Sequence, residues 1–310
     1  MPKKIIFMGT PMFAVPILKS LYQNGFPINL VYTQPPQKSH RGQRINKSPV
    51  QGISETLNIE FRSPQSLKNN TEEYEFLKKM EADLAIVVAY GQIIPKEFLS
   101  LTKKGFINIH ASILPKWRGA APIQRAIMNL DTETGISIMK INEELDSGPI
   151  SNIYKIKLDQ SLNAKEVSEK LALLAADKIL DIVDEVFKGK LKFVDQDNSK
   201  ATYAKKITKN EGQIDWKSDA SKIIGKINGL YPFPGAFFNF NGQRYKILKA
   251  KIGNGIGKNG EIISDNLEIA CGGEKSIKIL EIQREGKKVQ KIGEFMLGSQ
   301  IRKGSIISNV

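Results

Sequence analysis

Up to about residue 188, short apolar runs alternate with longer stretches of helical period. Lys3–Gly9 (KKIIFMG) reads as a buried strand ending in a glycine turn, and Pro11–Tyr22 as the helix after it, disturbed by Pro16. Ile28–Gln34 is a second strand. Ser48–Leu57 and Thr71–Met80 have helical composition, with a short strand, Ile59–Arg62, between them. Ala82–Tyr90 (ADLAIVVAY) is a continuous apolar run, which predicts a central parallel strand covered on both faces. Phe106, Ile107 and Ile109 alternate with Asn108 and His110, the period of a strand that puts the two polar residues on one face. Ala120–Ile127 returns to helical composition, with Pro122 in its first turn. Gly135–Ile141 and Ile150–Leu158 read as strands. Asn163–Phe187 is a long amphipathic helix with Val167, Leu171, Leu174, Ile179, Ile182, Val183 and Val186 as its buried stripe. This alternation predicts an α/β fold with a Rossmann-like, mostly parallel sheet.

Gly189–Tyr203 is polar and aperiodic, which predicts a linker, so the chain divides into residues 1–188, a connection over 189–203, and residues 204–310. The last part has one helical pattern, Ser218–Leu230, and otherwise short strands. The Asn241-Gly242 step between AFFNF and RYKILKAKI marks a hairpin, Gly253–Gly260 a flexible loop, and Glu261–Ile282 further strands. Short β segments in about a hundred residues predict a small open barrel.

Composition narrows the class. At 310 residues the chain is long enough for two domains, and with 41% hydrophobic residues it has no apolar run that spans a bilayer. Its amino terminus, MPKKIIFMGT, reads better as a first strand than as a signal peptide. A single cysteine, Cys271, excludes an internal disulfide framework and any multi-thiolate metal site. A cytoplasmic protein without membrane contact is expected. The formal net charge is +14, and residues 204–310 hold 19 basic against 10 acidic residues, a net of +9. That field favours a polyanion such as RNA. The polar stretch after Gln34, PPQKSHRGQRINKSPV, has Lys38, Arg41, Arg44 and Lys47 and no acid before Ser54. A mobile basic loop of this kind positions phosphate without reading much sequence.

The densest chemistry lies in Phe106–Ile127, FINIHASILPKWRGAAPIQRAI. An amide and an imidazole at a strand end suit acyl transfer: Asn108 can donate to a developing oxyanion, and His110 can move a proton. The chain has only two histidines, and the other, His40, sits in the polar loop. Gly9 lacks the further glycines of a dinucleotide fingerprint and there is no Walker loop, so neither a nicotinamide cofactor nor ATP is indicated. Ser112 lacks the G-x-S-x-G context of a nucleophile. Asp146 precedes Ser147-Gly148-Pro149 after the strand Gly135–Ile141; alone it reads as a turn former.

The segment NIHASILPKWRGAAPIQRAI resembles the motif of the folate-dependent formyltransferases, N-[IV]-H followed by S-L-L-P-[RK]-[YW]-R-G, departing from it only at Ile113. The resemblance runs from MGTPMFAVP to YPFPGAFF. It implies a formyltransferase domain followed by an OB-like, tRNA-binding one, and a catalytic set of Asn108, His110 and Asp146. It also implies a folate pocket from Gln92, Ile93 and Ile94 at the end of the Ala82–Tyr90 strand and from Ser112, Ile113, Leu114 and Pro115. The members it most resembles move the formyl group of 10-formyltetrahydrofolate to the α-amino group of methionine on initiator Met-tRNA, releasing tetrahydrofolate, without a metal. A monomer is expected. The basic loop would meet the acceptor end, Arg41-Gly42 matching the family's Arg-Gly step. Lys205, Lys206, Lys209, Arg244 and Lys246 would contact tRNA from the last part, where Lys249 and Lys251 add charge that favours nucleic acid. A sugar-amine formyltransferase would share the catalytic residues but needs far less positive surface. A glycinamide ribonucleotide formyltransferase would lack the last part. A formyltetrahydrofolate hydrolase would have a domain before the strand that starts here at Lys3. A non-catalytic RNA-binding protein with a transferase shell is the rival from another class.

Overall fold

Strand β1 (Ile5–Gly9) is buried at every position and lies in the middle of a seven-stranded sheet. The computed structural model describes residues 3–39 and 44–307. After β1 comes a 3-10 turn, Met12–Ala14, and then helix α1 (Val15–Gln23). Pro16 falls in the first turn of α1 and does not disturb it, because that turn needs no internal N–H donor. Strand β2 (Ile28–Tyr32) leads into the basic stretch, which is not a plain loop: β3 (Gln37–Ser39) and β4 (Arg44–Asn46) pair antiparallel. Helix α2 (Pro49–Thr56) follows, with Ser48 accepting from the Gln51 N–H as its cap. Next come β5 (Phe61–Arg62), α3 (Thr71–Met80), β6 (Leu84–Val88), α4 (Lys96–Leu99) and β7 (Phe106–His110). A two-residue strand β8 (Arg118–Gly119), α5 (Pro122–Met128), β9 (Glu133–Lys140), β10 (Ile150–Lys157) and the 24-residue α6 (Ala164–Phe187) complete this part.

The strand order is β10-β9-β7-β6-β1-β2-β5. Pairings from β7 through β5 are parallel, while β9 runs antiparallel to β7, so the sheet is mostly parallel as predicted. All five residues of β6 are buried, each side chain worth about 1.5–3 kcal/mol over exposure for those of Val or Leu size. That sum outweighs any single loop hydrogen bond, which makes β6 and β1 the rigid floor beneath the loops at their carboxyl ends. On one side Tyr32, on β2, donates to Glu73 of α3 at 2.5 Å, and Arg62 of β5 grips the same carboxylate through Nε and Nη2. Burial and that carboxylate together push the Tyr32 phenol well above its usual range.

The remaining elements are β11 (Tyr203–Ala204), α7 (Ala220–Gly229), β12 (Ala236–Phe240), β13 (Gln243–Gly253), β14 (Glu268–Cys271), β15 (Lys275–Arg284), β16 (Gln290–Lys291) and α8 (Ile292–Leu297). Strands β12-β13-β15-β14 form an antiparallel sheet, with β16 added to β15. Register shifts after Ile247 and Lys249 bend the long β13–β15 ladder. The sheet curls as a half-barrel around Trp216, Phe238, Tyr245, Ile269 and Phe295, the small barrel that the short strands and turn signals predict. Cys271 is buried in this core, where desolvation pushes its thiol up to about 11.

The chain gathers into two units, and the division is not colinear. One holds residues up to Gly119 with Gly135–Ile156 and Ser168–Tyr203; the other holds Ala120–Thr134, Lys157–Val167 and everything from Ala204. Helix α5 therefore packs on α7, within the second unit. Gly229 makes this possible: a Cβ there would stand 2.6 Å from Met128 Cγ and 3.0 Å from the Gln124 carbonyl oxygen. Replacing a helical glycine ordinarily gains roughly 0.5–1 kcal/mol. Gly229→Val is expected to lose about 1–3 kcal/mol instead, through overpacking, measured as a lower urea midpoint with unchanged slope.

Candidate active site

Strand β7 is held between β6 and β9, with Asn108 opposite Val87 on one side and Met139 on the other. Phe106, Ile107 and Ile109 are buried and anchor the strand, so the Asn108–His110 face is fixed by packing. Asn108 is half-buried, and among the described residues its side-chain amide has no hydrogen-bond partner. It remains available to a bound molecule.

His110 ends the strand opposite Ser137 of β9. Ser137 is fully buried, and its Oγ donates to the Ser112 carbonyl at 2.7 Å and accepts the Leu114 N–H at 3.0 Å. Ser112 Oγ in turn donates to the Lys116 carbonyl at 2.6 Å. These three bonds fold Ser112–Lys116 into a tight loop, and the Leu114–Pro115 peptide within it is cis. Trp117 follows with φ of +64°, which turns its carbonyl back to His110 Nε2 at 2.9 Å. A carbonyl only accepts, so Nε2 donates.

The other ring nitrogen faces Asp146. Its Oδ2 lies 3.5 Å from His110 Nδ1, an ion-pair contact longer than a good hydrogen bond. The same oxygen accepts the Gly119 N–H at 2.8 Å. Asp146 has φ of +48° in the loop between β9 and β10, and Gly148 two residues on allows that loop to close. A Cβ at Gly148 would stand 1.9 Å from the Lys140 carbonyl oxygen, so no other residue fits there without moving backbone. The imidazole thus has an oxygen at each nitrogen.

Several residues that pattern reading left out support this pair. Arg118, buried, donates from Nε and Nη2 to Gln196 Oε1 at 3.0 and 2.8 Å, and from Nη2 to Asn198 Oδ1 at 2.7 Å. Gln196 Nε2 donates to the carbonyls of Asp146 and Gly148. Thr202 receives the Trp117 N–H on Oγ1 and the Arg118 N–H on its carbonyl. The segment 189–203, expected as a linker, is therefore fastened along the first unit, through Val194 bridged to Ile150 as well. Its periodicity carries no trace of this because the bonds are long-range and polar. Trp117 and Arg118 stand inside the formyltransferase motif; Ser137, Gln196, Asn198 and Thr202 had no local signal.

The positions expected to hold folate lie in two places. Ser112, Ile113, Leu114 and Pro115 form the loop just described. Gln92, Ile93 and Ile94 follow β6, whose parallel neighbour is β7, at the carboxyl ends where such sheets bind ligands. Gln92 Nε2 donates to the Pro64 carbonyl at 2.9 Å, while its buried Oε1 has no partner among the described residues. Ile93 is 86% exposed, and Ile94 packs on the core. An orphaned acceptor beside an exposed apolar side chain fits a flat heterocycle with N–H donors on its edge. Gly91 is fixed by Gln34 Nε2, which donates to its carbonyl at 2.7 Å.

Of the basic residues, Lys38 and Arg44 stand on β3 and β4, Lys47 pairs with Glu55 at 2.9 Å at the surface, and Arg41 lies outside the described residues. In the second unit Lys205, Lys206 and Lys209 are exposed. Arg244 lies over the Phe237 ring at 4.1 Å and Lys246 over the 68% exposed Phe233 at 5.7 Å. Among the described residues no group of three or more His, Cys, Asp or Glu gathers at metal-binding distance, and no helix is long and apolar enough to cross a membrane.

Comparison with known proteins adds to this geometry. The formyl transferase family profile matches residues 3–183, and the profile for the formyl transferase C-terminal domain matches residues 206–300. The methionyl-tRNA formyltransferase of Pelagibacter ubique is 65% identical over 310 residues, covering 100% of both chains. That of a Chelativorans species is 41% identical, covering 98% of this chain and 99% of its own. Among solved structures, an N-formyltransferase from Helicobacter canadensis in complex with folinic acid and dTDP-3-aminofucose has a TM-score of 0.70 at 18% identity, covering 90% of this chain and 99% of its own. HypX from Aquifex aeolicus with tetrahydrofolic acid has a TM-score of 0.62 at 16% identity, covering 100% of this chain and 51% of its own. These two share the fold.

Ser137→Ala is expected to cost about 1–3 kcal/mol, because it strands a buried N–H and a buried carbonyl in the Ser112–Lys116 loop. Urea denaturation of the variant measures it.

Proposed function

This chain belongs to the formyl transferase family, and we propose on that footing that it transfers the formyl group of 10-formyltetrahydrofolate to the α-amino group of methionine on initiator Met-tRNA, in support of translation initiation. The observation that carries this reading is the end-to-end kinship with relatives named for that activity. The contact between His110 and Asp146 beside Asn108 supplies its chemistry.

The folate, when bound, supplies an activated formyl group, so neither a metal nor a covalent enzyme adduct is called for. Gln92, Ile93 and Ile94 and the Ser112–Pro115 loop would hold it, Gln92 Oε1 offering the acceptor that lacks a partner. Asn108 donates its free amide N–H to the formyl oxygen, which gains negative charge as the amine attacks. A donor of this kind is worth about 3 kcal/mol, or 10²–10³ in rate. His110 passes the proton that the attacking amine gives up to N10 of the folate as the bond from N10 to the formyl carbon breaks, and tetrahydrofolate leaves. Asp146 orients the ring through its contact with Nδ1. An α-amino group has a pKa near 7.7–8.0, and an ester-linked one lower, so a neutral fraction is available without a strong base.

Residues 1–188 would carry the folate and acceptor site, 204–310 the tRNA-binding surface, and 189–203 would join them. Lys38, Arg41, Arg44 and Lys47 would meet the acceptor end, with Lys205, Lys206, Lys209, Arg244 and Lys246 tracking phosphates elsewhere. The protein would work as a monomer in the cytoplasm.

Single-turnover transfer of labelled formyl to Met-tRNA tests the activity, with a sugar-amine acceptor run in parallel. Transfer to Met-tRNA alone is expected, and transfer to the sugar amine alone would reverse the assignment. Asn108→Ala, His110→Ala and Asp146→Ala should each lose roughly 10²–10³-fold in kcat with native circular dichroism. A near-full rate in His110→Ala would remove it as proton carrier. Joint replacement of Lys205, Lys206 and Lys209 by alanine should raise KM for tRNA while leaving kcat in place. The slope of log KM against log salt should shrink by about 0.7–0.9 for each phosphate no longer neutralised by a lysine.

A further inference from the structure

Gln196 stands where the chain shows no periodicity, yet both ends of its side-chain amide are committed. Arg118 offers only donors, and two of its N–H groups point at Gln196 Oε1, at 3.0 and 2.8 Å. The amide oxygen must therefore face the guanidinium, and the amide nitrogen must face away, with no ambiguity of flip. Its two protons go to the Asp146 carbonyl at 2.9 Å and the Gly148 carbonyl at 2.8 Å. Those carbonyls belong to the residue whose carboxylate lies 3.5 Å from His110 Nδ1 and to the glycine that lets its loop close. Asp146 is held with φ of +48°, a conformation that a non-glycine residue keeps only when its surroundings impose it. Next in the chain, Asp197 accepts from the N–H and Oγ of Ser199, which sets the turn that presents Gln196 and Asn198 to Arg118. Arg118 and its neighbour Gly119 thus grip the same loop twice, once through Gln196 and once through the Gly119 N–H on the Asp146 carboxylate.

We propose that Gln196 is a positioning residue for the transfer: its amide fixes the Asp146 loop so that the carboxylate meets His110. It touches none of the reacting atoms. The inference rests on the transfer reading for its kinetic consequence, but its structural consequence can be read without any acceptor.

Gln196→Glu keeps the side-chain volume and the acceptor for Arg118, but removes both N–H donors and sets a carboxylate oxygen against two carbonyls. Formyl transfer to Met-tRNA by the full-length variant should fall in kcat by roughly 10- to 100-fold, the scale of losses when a supporting group is removed and a reacting group is displaced. KM for Met-tRNA and for 10-formyltetrahydrofolate should stay within about twofold, and the melting temperature near that of the unaltered protein, if only positioning is lost. Because the chain has just two histidines, ¹⁵N spectra separate their rings: the His110 resonances should move, and those of His40 should not. If the glutamate prevents folding, Gln196→Met, uncharged and of similar volume, gives the same readouts. Wild-type kcat with unmoved His110 resonances overturns the proposal. So does a joint change of kcat, both KM values and melting temperature, which marks a purely structural residue. Should the unaltered protein itself fail to formylate Met-tRNA, the transfer reading falls and the His110 resonances alone decide whether Gln196 holds the loop.

Discussion

An oxygen at each nitrogen of the His110 ring is the constraint on which the site depends. Neither oxygen is local to the ring. One is the Trp117 carbonyl, brought back by a loop that Ser137 pins from the neighbouring strand. The other belongs to Asp146, on a loop that cannot close around any side chain larger than the hydrogen of Gly148. Each loop alone has an ordinary turn's freedom. Together with the buried floor of β6, β7 and β9 they leave the imidazole little choice of rotamer. Preorganisation of this kind lowers a barrier because the protein need not rearrange as charge develops.

Much of this was legible in the sequence, for reasons that differ from residue to residue. The β7 alternation put Asn108 and His110 on one face because a pleated strand has no other option. The apolar runs of β1 and β6 announced buried parallel strands, and the Asn241-Gly242 step announced the β12–β13 hairpin. Asp146 was recoverable only through likeness to a family, since nothing in Leu145-Asp146-Ser147-Gly148 distinguishes it from a turn. Gln196, Ser137 and Thr202 were out of reach. Their partners lie 23 to 85 residues away, and neither hydroxyls nor amides leave a periodic trace. Pro16 misled for a local reason: a proline inside a helical pattern reads as a break, but in the first turn it has no bond to break. The basic stretch misled too, because charge concealed a short strand pair, β3 and β4.

The fold reaches further than the sequence. A solved structure shares it at 18% identity, while the relatives named for Met-tRNA stand at 41 and 65%. The strand end brings an amide, an imidazole and a carboxylate close together. Outside it, residues 204–310 hold the larger share of the chain's net positive charge, +9 of +14. In the second unit Arg244 of β13 lies over the buried Phe237 of β12, and Lys246 of β13 over the exposed Phe233.

Cys271 has a consequence of a practical kind. It is the chain's sole sulfhydryl, it sits inside the half-barrel, and its ionisation is held back to about 11, so maleimide and similar reagents find almost no thiolate on the native molecule. A cysteine introduced at an exposed site, for instance in place of Lys206 or Lys47, would be the one reactive handle without any need to delete the native one. A single dye or spin label could then be attached to a chain that differs from the natural one at one surface residue.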